Sequence, residues 1–302
     1  MIESPFNYTG GKFKLLSQIF PLFPTDIKSF YDIFCGGCNV GINVKSNCIY
    51  LNDNNDYIIS LLRVFRKNTV QKSISSIEAI IANYGLSDVK KNGYDFYGCN
   101  SSDGLAPFNA PKFKKLKNDF NYSDASGDYY YYMFYVLIVY SFNNQIRFNS
   151  KKEFNLPCGK RDFNGKMRDK LIAFITELKS KNIKFSSKDF RKINFTKLDT
   201  QDFVYADPPY LITCATYNES NGWTANDELD LLKKLDGLNR RGIRFALSNV
   251  LTSKGKTNTI LLDWLSRNEG IYHVHHLSHS YSNSNYHTTI RGFSDEVLIT
   301  NY

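Results

Sequence analysis

Two stretches of this chain, 29–66 and 165–300, alternate short apolar runs with amphipathic segments, and this alternation limits the fold more than any other feature. Runs rich in β-branched and aromatic side chains read as strands at Ser29 to Phe34, Cys48 to Asp53, Ile183 to Ser186 and Phe203 to Ala206. Others follow at Arg244 to Val250, His273 to Leu277 and Val297 to Thr300. Between them, Asp56 to Arg66, Lys170 to Lys179, Asp227 to Leu238 and Ile260 to Leu265 carry apolar residues at helical spacing. Strands that alternate with helices pair in parallel and need cover on both faces. The expectation is therefore an α/β fold around a mainly parallel sheet, with an antiparallel edge near the C-terminus.

Residues 67–159 interrupt the pattern. Lys, Asn, Ser and Tyr dominate there, no parallel-strand signal appears, and the segment reads as an inserted, mainly helical domain. Residues 1–66 and 160–302 would then form one discontinuous domain. The most apolar run, Tyr129 to Phe142, is too short and too rich in tyrosine for a bilayer span, so it is expected as a buried helix. Lys12 to Phe20 is expected as a short amphipathic helix closed by Pro21 and Pro24. A net charge of +9 favours a polyanionic partner. Lys112, Lys114, Lys115 and Lys117, interleaved with Phe113 and Leu116, would suit a phosphate-facing surface or a solvated helix face. The N-terminus carries neither a basic nor an apolar leader region, which points to a cytoplasmic chain and to free thiols for the six cysteines.

The residues suited to chemistry lie where apolar runs end. Asp207-Pro208-Pro209-Tyr210 follows a strand, so its carboxylate stands at the sheet edge in a loop stiffened by two fixed φ angles. An aromatic amine is a poor nucleophile because its lone pair is delocalised. A carboxylate and the carbonyl of a proline-locked peptide can accept its hydrogens and favour pyramidal nitrogen. Phe34-Cys35-Gly36-Gly37 is a strand-to-loop turn that lets backbone approach a ligand, and Asp53 is placed to accept from ribose hydroxyls. The fuller GxGxxG of a dinucleotide site is missing, which disfavours a nicotinamide enzyme. Cys35 and Cys38 form a Cys-x-x-Cys that the ligand loop already explains. His273, His275, His276 and His279 lack the cysteine pairs of a zinc site, and alternate strand residues face opposite ways, so no metal is expected.

At these motifs the chain resembles the Dam-type DNA adenine-N6 methyltransferases of bacteria and phages. Phe6-Asn7-Tyr8-Thr9-Gly10-Gly11-Lys12 is similar to the family's N-terminal motif, which implies that Tyr8, Gly11 and Lys12 help hold S-adenosylmethionine. Asp32 to Gly37 is similar to the methyl-donor loop, implying cofactor roles for Asp32, Phe34 and Gly36. Asp53 matches the ribose-binding acid and Asp189 a further acid that meets the adenine. Asp207 to Tyr210 matches the catalytic tetrapeptide, with Asp207 touching cofactor as well as base. The fold so implied is a Rossmann-like methyltransferase sheet with an inserted target-recognition domain that carries a hairpin. Phe142 to Asn149 and Phe154 to Gly159 resemble that hairpin, which implies DNA contacts from Asn7, Phe142, Asn143, Arg147, Asn149 and Pro157. Arg147 would read a guanine edge and Phe142 would wedge into the stack left by a flipped adenine. Ser280 to Asn285 and Arg291 resemble a loop near the phosphates. Two positions depart from the pattern: Cys38 stands where a further glycine is usual, and Asn7 replaces a lysine of some relatives. The resemblance implies base-flipping methylation of adenine N6 in duplex DNA by a monomer or weak dimer. The same donor fold acting on RNA or a protein amide, and an inactive DNA-binding relative, are the alternatives.

Overall fold

The structure is a computed structural model, and it describes residues 1–8, 10–213, 222–278 and 294–302. The chain divides into two compact units, Lys12–Asn54 with Asn182–Tyr302, and Met1–Gly11 with Asn55–Lys181. The strands are β1 (Ser29–Asp32), β2 (Cys48–Asn52), β3 (Ile183–Ser186), β4 (Phe203–Ala206), β5 (Arg244–Ser253), β6 (Lys256–Thr257), β7 (His273–Leu277) and β8 (Ser294–Thr300). The helices are α1 (Leu16–Ile19), α2 (Asp56–Lys67), α3 (Val70–Tyr84), α4 (Val89–Asn92), α5 (Ala106–Tyr122), α6 (Gly127–Tyr140), α7 (Gly165–Ser180), α8 (Ala225–Asn239) and α9 (Thr259–Arg267).

The first unit holds the sheet, in the order β3-β2-β1-β4-β5-β8-β7 with β6 turned back on β5. The strands from β3 to β5 run parallel, and β8 runs antiparallel to both β5 and β7, as the alternation and its C-terminal edge predict. All four residues of β4 are buried, and alternation along the strand sends them to opposite faces. On one face Val204 and Ala206 join Leu231, Leu232, Leu235 and Leu238 of α8 and Leu261 and Trp264 of α9. On the other, Phe203 and Tyr205 meet the Phe23 ring, at 4.8 and 5.6 Å between centroids. The order reverses direction between β1 and β4, which opens a crevice beyond their carboxyl ends where ligands of such sheets bind. The helix expected over 12–20 is shorter. Only Leu16–Ile19 is α-helical, between three-residue 3₁₀ turns at Phe13–Leu15 and Phe20–Leu22, because Pro21 has no N–H to continue the ladder.

In the second unit α6 is apolar almost all round, and Tyr132 to Tyr140 are buried, as expected of a core helix. Helices α2, α3 and α5 pack on α6, and α7 packs on α2 and α3. Phe6 fixes the N-terminal segment here through ring contacts with Phe65, Tyr135 and Phe174. After α6 the chain doubles back, with antiparallel bridges Ser141 to Cys158 and Phe148 to Phe154. Gly159 permits this closure, since a Cβ there would lie 2.3 Å from the Ser141 carbonyl oxygen. Among the described residues no helix is long and apolar enough to cross a membrane.

Candidate functional site

In the first unit three acids meet at the crevice. β1 ends on Asp32, Asp53 follows β2 and Asp207 follows β4, and the register pairs Asp32 with Leu51 on one side and Tyr205 on the other. Asp32 is buried and accepts the backbone N–H groups of Phe34 and Gly41, while its Oδ1 has no hydrogen-bond partner. Burial, then the negative charges of Asp207 and Asp53, push its carboxyl well above the usual range. Gly41 admits this packing: a Cβ there would lie 2.3 Å from Leu51 Cδ2 and 3.4 Å from Asp32 Oδ2. The Gly36 N–H donates to Asp53 Oδ2 at 2.9 Å, which ties the glycine loop to the end of β2. Cys38 has φ of +65°, the left-handed conformation that glycine adopts most readily, which fits the glycine usual at this position in the family pattern. Burial pushes the Cys35 thiol up, and Cys38 is raised as well, so neither is a ready thiolate.

Asp207 sits in a buried polar knot. Its Oδ1 lies 2.9 Å from Lys12 Nζ, and the Tyr210 hydroxyl lies 3.1 Å from Asp207 Oδ1 and 3.0 Å from Glu296 Oε1. Lys12 Nζ is also 3.4 Å from Glu296 Oε1 and 4.9 Å from the Tyr210 ring centre. Burial alone would lower the Lys12 ammonium, but Asp207 and Glu296 outweigh it and raise it. Burial raises the Asp207 carboxyl despite Lys12. Glu296 escapes the sequence reading, although an acid directly ahead of the apolar run Val297 to Thr300 is a signal, because a charge in that strand is buried and needs partners.

Phe34 belongs to an aromatic trio: its ring lies 5.4 Å from Phe190 and 5.6 Å from Trp223, which are 5.5 Å apart. Phe190 and Trp223 are likewise missed by spacing, since they meet Phe34 only through the fold. Trp223 Nε1 donates to the fully buried Glu228 at 2.6 Å. Asp189 opens a 3₁₀ turn, accepting the Arg191 N–H at 2.8 Å and pairing with its guanidinium at 3.2 Å. Among the described residues no group of three His, Cys, Asp or Glu side chains is set to hold a metal. His276 pairs with Asp295 at 2.7 Å and His275 meets Thr300 at 3.2 Å.

The other expected residues lie in the second unit. The Tyr8 carbonyl accepts the Gly11 N–H at 3.0 Å. Asn7 Nδ2 donates to the Asn143 carbonyl at 2.7 Å, which joins the N-terminal segment to the doubled-back chain. Phe142 is half exposed, and the Phe142 N–H donates to the Pro157 carbonyl. Arg147 is held by Asn155: Nε donates to Oδ1 at 2.8 Å and a terminal nitrogen to the carbonyl at 3.2 Å. Asn149 organises the turn, its Oδ1 accepting the Lys151 and Glu153 N–H groups. Lys117 Nζ reaches the Leu156 carbonyl at 3.2 Å, while Lys114 and Lys115 are exposed. Cys214, His279, Ser280 to Asn285 and Arg291 fall outside the described residues.

Residues 8–280 match the model of the D12 class N6 adenine-specific DNA methyltransferases. The chain is 45% identical over 307 residues to the type II methyltransferase M.FokI of Planomicrobium okeanokoites, covering 100% of this chain and 43% of that protein. It is 41% identical over 308 residues to the modification methylase StsI of Streptococcus sanguinis, with the same coverages of 100% and 43%. Against the DNA adenine methylase of Escherichia coli K12 it is 24% identical over 247 residues, 80% of this chain and 79% of that one. The chain thus spans less than half the length of the first two relatives.

Proposed function

Because the chain belongs to the D12 class N6 adenine-specific DNA methyltransferases, we propose that it methylates adenine N6 in duplex DNA, on a base flipped out of the helix. The observation that carries this reading is Asp207, fixed at the end of β4 at the sheet's reversal by Lys12 and Tyr210. S-adenosylmethionine would supply an electrophilic methyl group on a sulfonium. The residues fit it: Asp32 Oδ1 is a buried acceptor in want of a donor, Gly36 and Asp53 form a tied loop and acid, and Phe34, Phe190 and Trp223 offer an apolar seat for its adenine. Asp207 and the Pro208 carbonyl accept the hydrogens of the amine, leaving its lone pair directed outward. With its hydroxyl anchored on Asp207 and Glu296, the Tyr210 ring is fixed for stacking on the base.

For target recognition we assign residues 67–159, with Arg147 as base reader. Asn155 holds one edge of its guanidinium, so the fork is preorientated for a guanine. Asn7, Phe142, Asn143, Asn149 and Pro157 shape or flank the same doubled-back segment. Tyr8, Gly11 and Asp189 keep the cofactor roles of the family resemblance, Asp189 with the ion pairs of Arg191 behind it. The test is Asp207→Ala: methyl incorporation into duplex DNA is lost while the circular dichroism spectrum stays that of the parent. Undiminished incorporation sinks the reading.

A further inference from the structure

The C-terminal half of α5 is stitched to the returning arm of the doubled-back segment. Lys117 Nζ donates to the Leu156 carbonyl at 3.2 Å, and the Tyr122 hydroxyl donates to Glu153 Oε1 at 2.9 Å. Between them Asn121 takes both backbone groups of Phe154, donating to the carbonyl at 3.1 Å and accepting the N–H at 2.9 Å. Helix and arm therefore run in opposite directions, in step, since four helical residues and two extended ones each advance about 6 Å. One turn before Lys117 on the same face, Lys114 stands level with Pro157 and Cys158. Arg147 reaches this arm from its antiparallel neighbour and is held at Asn155. Lys112 and Lys115 do not join the group: Lys112 lies over the Phe108 ring and Lys115 over Tyr84 of α3.

Lys114, Lys117 and Arg147 act on one another as like charges. Burial, then the charges of Lys114 and Arg147, push the Lys117 ammonium down. Among the described residues none of the three forms an ion pair with a carboxylate within 4.0 Å. Glu153, the acid of the same arm, is engaged by Tyr122 and by Asn149 at 2.9 and 2.7 Å. In residues 1–11 and 55–181, Lys and Arg outnumber Asp and Glu by 20 to 13, which puts most of the chain's net charge of +9 in this unit. Cations held together without a counter-charge cost the free chain stability, and an anion seated among them removes that cost. We propose that Lys114 and Lys117 form a binding site for one backbone phosphate of duplex DNA, beside the base edge that Arg147 reads. The proposal rests on the DNA methyltransferase reading above. A phosphodiester carries one negative charge and two unesterified oxygens, so it accepts from both ammonium groups at once. Lys117 spends one of its three N–H bonds on Leu156 and has others to give. Phosphate contacts fix register and carry no sequence information, so the lysines seat the hairpin while Arg147 discriminates.

The experiment measures binding of the full chain to duplex DNA by fluorescence anisotropy between about 50 and 200 mM salt. It compares the parent with Lys114→Gln, with the double variant Lys114→Gln/Lys117→Gln, and with Lys115→Gln, which removes the same charge from the other side of α5. One phosphate contact contributes about 0.9 to the slope of log affinity on log salt. The double variant lowers the slope by about that amount and weakens binding roughly eightfold near 0.1 M salt, equally for preferred and unrelated duplexes. Lys115→Gln leaves the slope unchanged. Lys114→Gln, at an exposed position, unfolds in denaturant at no lower a midpoint than the parent, so its weaker binding is not a loss of fold. A parental slope in the double variant, an equal loss in Lys115→Gln, or a loss confined to the preferred duplex overturns the proposal. Millimolar inorganic phosphate at constant ionic strength leaves the parent's affinity for the duplex unchanged; a loss that the double variant abolishes assigns the site to free phosphate and overturns it as well. A parent chain that binds with the expected slope but transfers no methyl group to DNA would instead overturn the functional reading and leave the phosphate site standing.

Discussion

Glu228→Gln isolates what holds Trp223 in the aromatic trio. Glu228 is 0% exposed, and its two oxygens divide the work: Oε1 accepts from Asn249 and Asn258 at 2.9 and 3.0 Å, and Oε2 accepts from Trp223 Nε1 at 2.6 Å. A glutamine keeps one oxygen, and two donors claim it. The amide nitrogen is left facing the indole N–H, donor against donor, so the loss falls on Trp223. One charge-assisted hydrogen bond is worth about 1.5–3 kcal/mol. The neutral amide sheds some desolvation cost, which places the expected loss near the low end. That corresponds to a melting temperature lower by about 3–6 °C. Iodide quenching of Trp223 fluorescence, read against Trp223→Phe to remove the Trp264 background, should rise. The affinity for S-adenosylmethionine by calorimetry should fall about tenfold, while circular dichroism is unchanged. A variant of parental stability, with Trp223 quenched no more than before, would refute the argument that this carboxylate positions the ring.

Three further outcomes follow from other contacts. Gly41→Ala sets a methyl 2.3 Å from Leu51 Cδ2, an overpacking that should cost about 1–3 kcal/mol in denaturant unfolding; Leu51→Ala in the same chain should cost less on this background than alone, a coupling that additive effects would contradict. Asp32 has a carboxyl raised by burial, so the folded state keeps its proton longer than the unfolded state and stability falls as pH rises from the ordinary carboxylate value to the raised one. Asp32→Asn should flatten that slope, raise stability at neutral pH and weaken S-adenosylmethionine binding; an unchanged slope would show that Asp32 is ionised at no cost. Arg147→Ala should cost about 1–3 kcal/mol of binding to the preferred duplex and little on unrelated duplexes, measured by anisotropy at fixed salt.

The amino-acid sequence by itself determined the sheet, because alternation of short apolar runs with amphipathic segments is a local pattern that survives without knowledge of partners. It also singled out Asp207 to Tyr210, Gly36 and Asp53 as candidates, since each stands at or just past a strand end and a strand end is visible along the chain. The buried character of α6 was legible for the same reason: it is apolar almost all round. Only the tertiary structure decided that Lys12 lies on Asp207, that Glu296 closes the knot from β8, and that Phe190, Trp223 and Glu228 stand behind Phe34. Those residues come from four or more separate segments, and their meeting depends on strand order and register, which no periodicity records. The short α1 shows the converse, where Pro21, with no N–H to continue the ladder, outweighed the helical spacing of Leu15, Leu16, Ile19 and Phe20. Propensity and pattern act over a few residues. A buried carboxylate acts on whatever the fold brings within about 4 Å of it.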